Sequence, residues 1–159
     1  MGESTAARDA ARNEQLQDTY IHVDGEQWLP FGDTAGIEFK LLRASQETGT
    51  WTALFKCAPQ SSFARHRHLG AGEYLMIYGE MDVRGGARAG GITAVAGDYG
   101  YEPNGIIHDS TEFPKETVFY FTNFGPIQFI DEQDNTVFVL DWKGLLDLEA
   151  AMRTSLQPA

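Results

Sequence analysis

Between Tyr20 and Leu140 the chain never sustains one kind of segment for long. Apolar or alternating runs of three to eight residues are cut at close intervals by Gly, Pro, Asn and Asp. The cuts fall at Glu47-Thr48-Gly49, Gly70-Ala71-Gly72, Gly85-Gly86, Gly90-Gly91, Gly97-Asp98, Pro103-Asn104-Gly105 and Gly125-Pro126. This punctuation reads as strands joined by turns. The expected strands are Tyr20–Val23, Gln27–Leu29, Ile37–Ala44, Thr50–Cys57, Ser62–His68, Tyr74–Tyr78, Met81–Arg84, Ile92–Val95, Tyr99–Glu102, Ile106–Ser110, Thr117–Asn123, Ile127–Ile130 and Thr136–Leu140. Many short strands with regular turns define an all-β sandwich or barrel.

The two ends differ from this middle. Residues 5 to about 17 are rich in Ala, Arg, Glu and Gln and predict a short polar helix capped by Ser4 or Thr5. After Asp141, Leu145, Leu148, Met152 and Leu156 recur at helical spacing, which predicts a C-terminal helix on the barrel exterior. The expected organisation is an N-terminal helical arm (1–18), one barrel domain (19–141) and a C-terminal helix (142–159). At 159 residues one domain with a substantial core is expected.

A net charge of −11 argues against nucleic acid and against an anionic membrane surface, both of which need basic patches. No apolar stretch approaches the length of a bilayer span, and the first residues lack the apolar core of a secretory leader. Cys57 is the only cysteine, so no intrachain disulfide and no multi-thiolate zinc site can form. A cytoplasmic location is expected.

His66 and His68 are two apart in an expected strand, so they share one face while Arg65 and Arg67 point away. His108 follows the Pro103-Asn104-Gly105 turn in a strand that could pair beside the first. Three of the chain's four histidines fall in these two stretches. Neutral imidazole is the commonest metal ligand, and such a set suits iron, manganese, nickel, copper or zinc rather than calcium or magnesium. The expected metal ligands are His66, His68 and His108.

Two carboxylates accompany them. Glu73 opens the strand after the Gly-rich turn and is either a fourth ligand or a solvated strand-end residue. A ligating carboxylate would remove one unit of charge from the ion. Glu102 shares a face with Gly100, opposite Tyr99 and Tyr101, and is either a catalytic base near the metal or an ordinary strand-end charge. His22 is expected at the surface, and Asp109 faces away if His108 faces in. Trp51, Phe55, Leu75, Ile77, Phe119 and Phe121 are expected in the core.

The stretches HRHLGAGEYLMIYGE and GDYGYEPNGIIH resemble the paired motifs of the cupin superfamily. His66, His68, Glu73 and Gly79 match the first, and Gly97, Pro103, Gly105 and His108 match the second; Glu112 stands where an Asn is usual. The stretches WTALFKCAPQSSFARHRHLGAGEY, AGGITAVAGDYGYEPNGIIHDS and NFGPIQFID further resemble the 2,4'-dihydroxyacetophenone dioxygenase family and the related acetylacetone-cleaving dioxygenases. The resemblance implies a double-stranded β-helix (jelly-roll) barrel. It implies a non-haem iron(II) held by His66, His68 and His108, with Glu102 close by and Glu73 less favoured as a ligand. Zinc, nickel and manganese are the alternative ions. The implied reaction is cleavage of a carbon–carbon bond in an α-hydroxyketone or β-diketone by dioxygen, in a homodimer. The competing readings are a zinc-binding regulatory or sensor cupin without catalysis, and a metal-dependent isomerase or hydrolase.

Overall fold

The computed structural model describes residues 19–156. The expected N-terminal helix lies outside them. Among the described residues fourteen strands form three antiparallel sheets. The largest has six strands: β1 (Leu29–Pro30), β2 (Ile37–Ala44), β3 (Trp51–Cys57), β12 (Thr117–Asn123), β6 (Gly72–Tyr78) and β9 (Tyr99–Glu102), in that spatial order. A second joins β10 (Ile107–His108), β5 (His66–His68), β13 (Ile127–Ile130) and β14 (Thr136–Leu140). The third joins β4 (Ser61–Phe63), β11 (Thr111–Phe113), β7 (Glu80–Val83) and β8 (Ile92–Val95). The inward faces of all three meet in one core that includes Phe39, Trp51, Phe55, Phe119, Phe113 and Phe129. This is the all-β cupin barrel.

Four sequence expectations need correction. Ser62–His68 is not one strand. Ser61–Phe63 pairs with β11, the chain turns at Ala64-Arg65, and His66–His68 pairs with β10 and β13. Ile106–Ser110 breaks in the same way, with β10 and β11 on either side of Asp109-Ser110. The two chain segments bend together, so both corners carry the same pair of strands from one sheet to another, as barrel corners require. Tyr20–Val23 is not a strand; Tyr20 is exposed, and a single 3₁₀ turn covers Val23–Gly25. In β6, Leu75 and Ile77 are exposed while Gly72, Tyr74 and Met76 face inward.

Helix α1 (Trp142–Ser155) starts at Asp141, whose side chain accepts a hydrogen bond from the Gly144 amide at 2.8 Å. Leu145 is fully buried, with Leu148 and Met152 packed against the core; Leu156 stays exposed. The helix covers β1, β2 and β14 on the outside of the barrel.

Candidate metal centre

Strand parity and register bring the imidazoles together. His66 and His68 face inward from β5, and the intervening Arg67 points out to Gln128 Oε1 at 3.2 Å. His108 on β10 lies directly opposite His66 in the ladder, and residues directly opposite share a face. The three ring centroids are 5.1–5.2 Å apart, and one nitrogen from each ring lies within 4.8 Å of the other two. All three rings are buried.

The partners of the far nitrogens fix two tautomers. His66 Nδ1 donates to the Ala64 carbonyl at 2.8 Å, and His68 Nδ1 donates to Asn123 Oδ1 at 3.1 Å. A carbonyl oxygen only accepts, so each Nδ1 carries the hydrogen and each Nε2 presents a bare lone pair. His68 Nε2 is buried without a hydrogen-bond partner. It lies 3.2 Å from Glu102 Oε2, and His108 Nδ1 lies 3.7 Å from Glu102 Oε1. The first contact is no salt bridge, because the imidazole is neutral. With Glu102 ionised, two acceptors face each other in a buried site, an arrangement that a shared cation relieves. The donor set therefore fits a divalent transition-metal ion.

Burial sets the charge state. It lowers His66, and it takes His68 down to about 4 and His108 to about 3, with the neighbouring imidazoles as the next cause. Burial also pushes Glu102 up to about 7, opposed by the charge of Arg84. An imidazole held below its ordinary 6.5 contributes stability that is complete above that pH and is lost as pH falls towards the folded value. Glu102 acts in reverse: its contribution is present below the ordinary 4.5 and lost as pH rises through about 7. Three imidazoles outweigh one carboxyl between these limits. The metal-free protein is expected to lose roughly 2 kcal/mol or more on acidification from pH 6.5 to 4.5. Calorimetric melting in chelator should show a falling Tm, with a shallower slope for His68→Gln. Equal slopes would mean that His68 is not held neutral by burial.

The structure does not bring Glu73 to the cluster. It sits on the outward face of β6, where its Oε2 accepts a hydrogen bond from Tyr99 at 2.8 Å. The phase that buries Tyr74 turns Glu73 outward, so a four-ligand shell that includes Glu73 is overturned. Glu102 faces inward from β9, as Gly100 does, with Tyr99 and Tyr101 exposed. Gly100 has a steric role: a Cβ there would overlap the phenol ring of Tyr74, which lies against its backbone. Arg65 points outward and binds Asp109 at 2.7 Å and Asp134 at 2.5 Å. His22, Asp109 and Glu112 are exposed.

Sequence reasoning missed Asn123. It is fully buried at the end of β12, orients His68, and donates from Nδ2 to the Gly125 carbonyl at 2.5 Å. Trp51 Nε1 donates to the same carbonyl at 3.1 Å. Asn123 is in phase with Thr117, Phe119 and Phe121 in the sequence, so a polar residue on an inward face was the available signal. Beside the imidazoles and Glu102 is a cavity of about 50 Å³, walled mainly by Phe63, Phe119, Phe121, Ile127 and Phe129.

A jelly-roll barrel with three inward histidines on two paired strands defines a metal-binding cupin. The chain belongs to the family described as the ChrR cupin-like domain, which matches residues 16–128. It is 40% identical over 137 residues to the acetylacetone-cleaving enzyme of Acinetobacter johnsonii, covering 84% of this chain and 90% of that protein. The crystal structure of an acetylacetone dioxygenase from Acinetobacter johnsonii superposes with a TM-score of 0.82 at 40% identity, covering 86% of this chain and 93% of that one. An RmlC-like cupin from Ralstonia eutropha matches at a TM-score of 0.77 and 19% identity, over 92% of this chain and 95% of that one, which speaks for the fold alone.

Proposed function

We propose that this protein is a non-haem iron(II) dioxygenase that cleaves a carbon–carbon bond of a β-diketone. One observation carries the reading: a buried carboxylate, Glu102, stands 3.2 Å from His68 and 3.7 Å from His108 at an apolar chamber that all three imidazoles line, in a chain 40% identical to an acetylacetone-cleaving enzyme. His66 and His68 would hold the ion through Nε2, and His108 through a ring nitrogen. Iron(II), when bound, supplies Lewis acidity for the two substrate oxygens and redox access to dioxygen.

The remaining work belongs to the protein's own groups. The carbon between two carbonyls is acidic, and Glu102 would accept its proton at a carboxylate oxygen. A buried carboxylate is a stronger base than one in water. Phe63, Phe119, Phe121 and Phe129 exclude water, so the deprotonated diketone is protected from reprotonation and hydrolysis. Asn123 and the Ala64 carbonyl hold the rings of His68 and His66 in one tautomer and one orientation. The overall change balances: both atoms of dioxygen enter the products, one bond between a carbonyl carbon and the central carbon breaks, and a carboxylic acid and a 1,2-dicarbonyl compound result.

The test is anaerobic reconstitution with iron(II) followed by oxygen uptake with a panel of β-diketones and α-hydroxyketones. One dioxygen should be consumed per diketone cleaved, and zinc-loaded protein should consume none. An iron-loaded protein that takes up no oxygen with any member of the panel would overturn the reading.

A further inference from the structure

The apolar chamber is not the only cavity at the imidazole cluster. A second one, of about 310 Å³, opens on the other side of Tyr74, Glu102 and His108, which line both. These three side chains are therefore a partition between an inner apolar chamber and an outer vestibule. The vestibule differs in chemistry. Its rim carries Arg84, with Tyr99 and Tyr101 beside it.

The Arg84 side chain is exposed at this cavity, and it differs from Arg65 and Arg153 in its partners. Arg65 and Arg153 are each held by two carboxylates. Among the described residues Arg84 has no side-chain hydrogen bond and no ion pair, in a chain whose net charge is −11. Its backbone is fixed all the same. The Arg84 amide donates to the Ser110 carbonyl at 3.0 Å, which ties the end of β7 to the corner that follows His108. Its φ of 53° lies in the left-handed region that few non-glycine residues adopt, and Gly85 and Gly86 follow with φ of 77° and 73°. A guanidinium without a carboxylate, carried at a cavity by a hydrogen-bonded backbone, is a fork suited to a planar carboxylate.

We propose that the outer vestibule is a binding site for a small monocarboxylate, held by Arg84, and that it receives the carboxylate product as that product leaves the inner chamber past Tyr74, Glu102 and His108. The assignment of the carboxylate as product rests on the diketone-cleavage reading; the anion site itself does not. A chain of net charge −11 repels small anions in general, so a guanidinium at the exit gives the product a local resting place and keeps its negative charge off the carboxyl of Glu102.

The probe is acetate, titrated calorimetrically into wild-type protein, both metal-loaded and metal-free. Saturable binding is expected in both forms, with Kd raised at least tenfold in Arg84→Gln and by less in Arg84→Lys, at unchanged Tm and metal content. Acetate should also inhibit oxygen uptake without raising the KM for diketone, since the two ligands occupy different cavities. Absence of binding to wild type, binding that survives in Arg84→Gln, or binding that vanishes on metal removal would each overturn the proposal; the last would place acetate on the metal. If acetate binds through Arg84 but no diketone is cleaved, the anion site stands and the dioxygenase reading fails.

Discussion

His108→Ala protein is expected to purify with little of its metal and to lose more than about 100-fold in oxygen uptake, because even groups that only orient a ligand cost 10–100-fold when removed. The histidine stands opposite His66 in the β5–β10 ladder, and no other side chain from β10 reaches the cluster. Its imidazole is buried but makes no hydrogen bond that the fold requires. The loss should therefore appear in metal content and activity while far-ultraviolet circular dichroism is unchanged. A variant that keeps a full metal load would remove His108 from the ligand set.

Glu102→Gln is expected to behave differently. Glutamine matches the carboxylate in size but is not a base, so turnover should fall by about 10²–10⁴-fold with the fold intact. There is one complication, and it has a readable sign. The new amide can donate to His68 Nε2, from which the carboxylate now stands 3.2 Å away, and so compete with the ion for that lone pair. Rates must be expressed per bound metal. Near-normal turnover per metal would show that the proton goes elsewhere, whereas a defect cured by excess iron(II) would make Glu102 a group that favours metal loading rather than a base.

The sequence made some of this site legible and concealed the rest for a common reason. A two-residue spacing fixes a shared face in any strand, so His66 and His68 could be paired without knowing the fold. The phase of β6 could not be read that way. It is set by the Gly70-Ala71-Gly72 turn, where Gly70 packs against the backbone of Gly125 too closely for a side chain. A slip of one residue exchanges the two faces of a strand. An inward Glu73 would bring Leu75 and Ile77 inward with it; the structure buries Tyr74 and Met76 and turns all three out. Glu102 was better served, because Tyr99 and Tyr101 bracket Gly100 and only one phase leaves room for the Tyr74 ring against that glycine. The corners at Ala64-Arg65 and Asp109-Ser110 carry neither Gly nor Pro, so nothing local announced that each run would divide between two sheets.

The pairing of β5 with β10 also has a consequence for the chain's connectivity. An ion shared by His68 and His108 would staple together two points whose intervening stretch holds β6, β7, β8 and β9. Closing so long a loop removes entropy from the unfolded chain in the way a disulfide does, in a protein whose single thiol has no partner to form one. Occupancy of the centre would then govern how long this half of the barrel resists proteolysis, independently of any turnover.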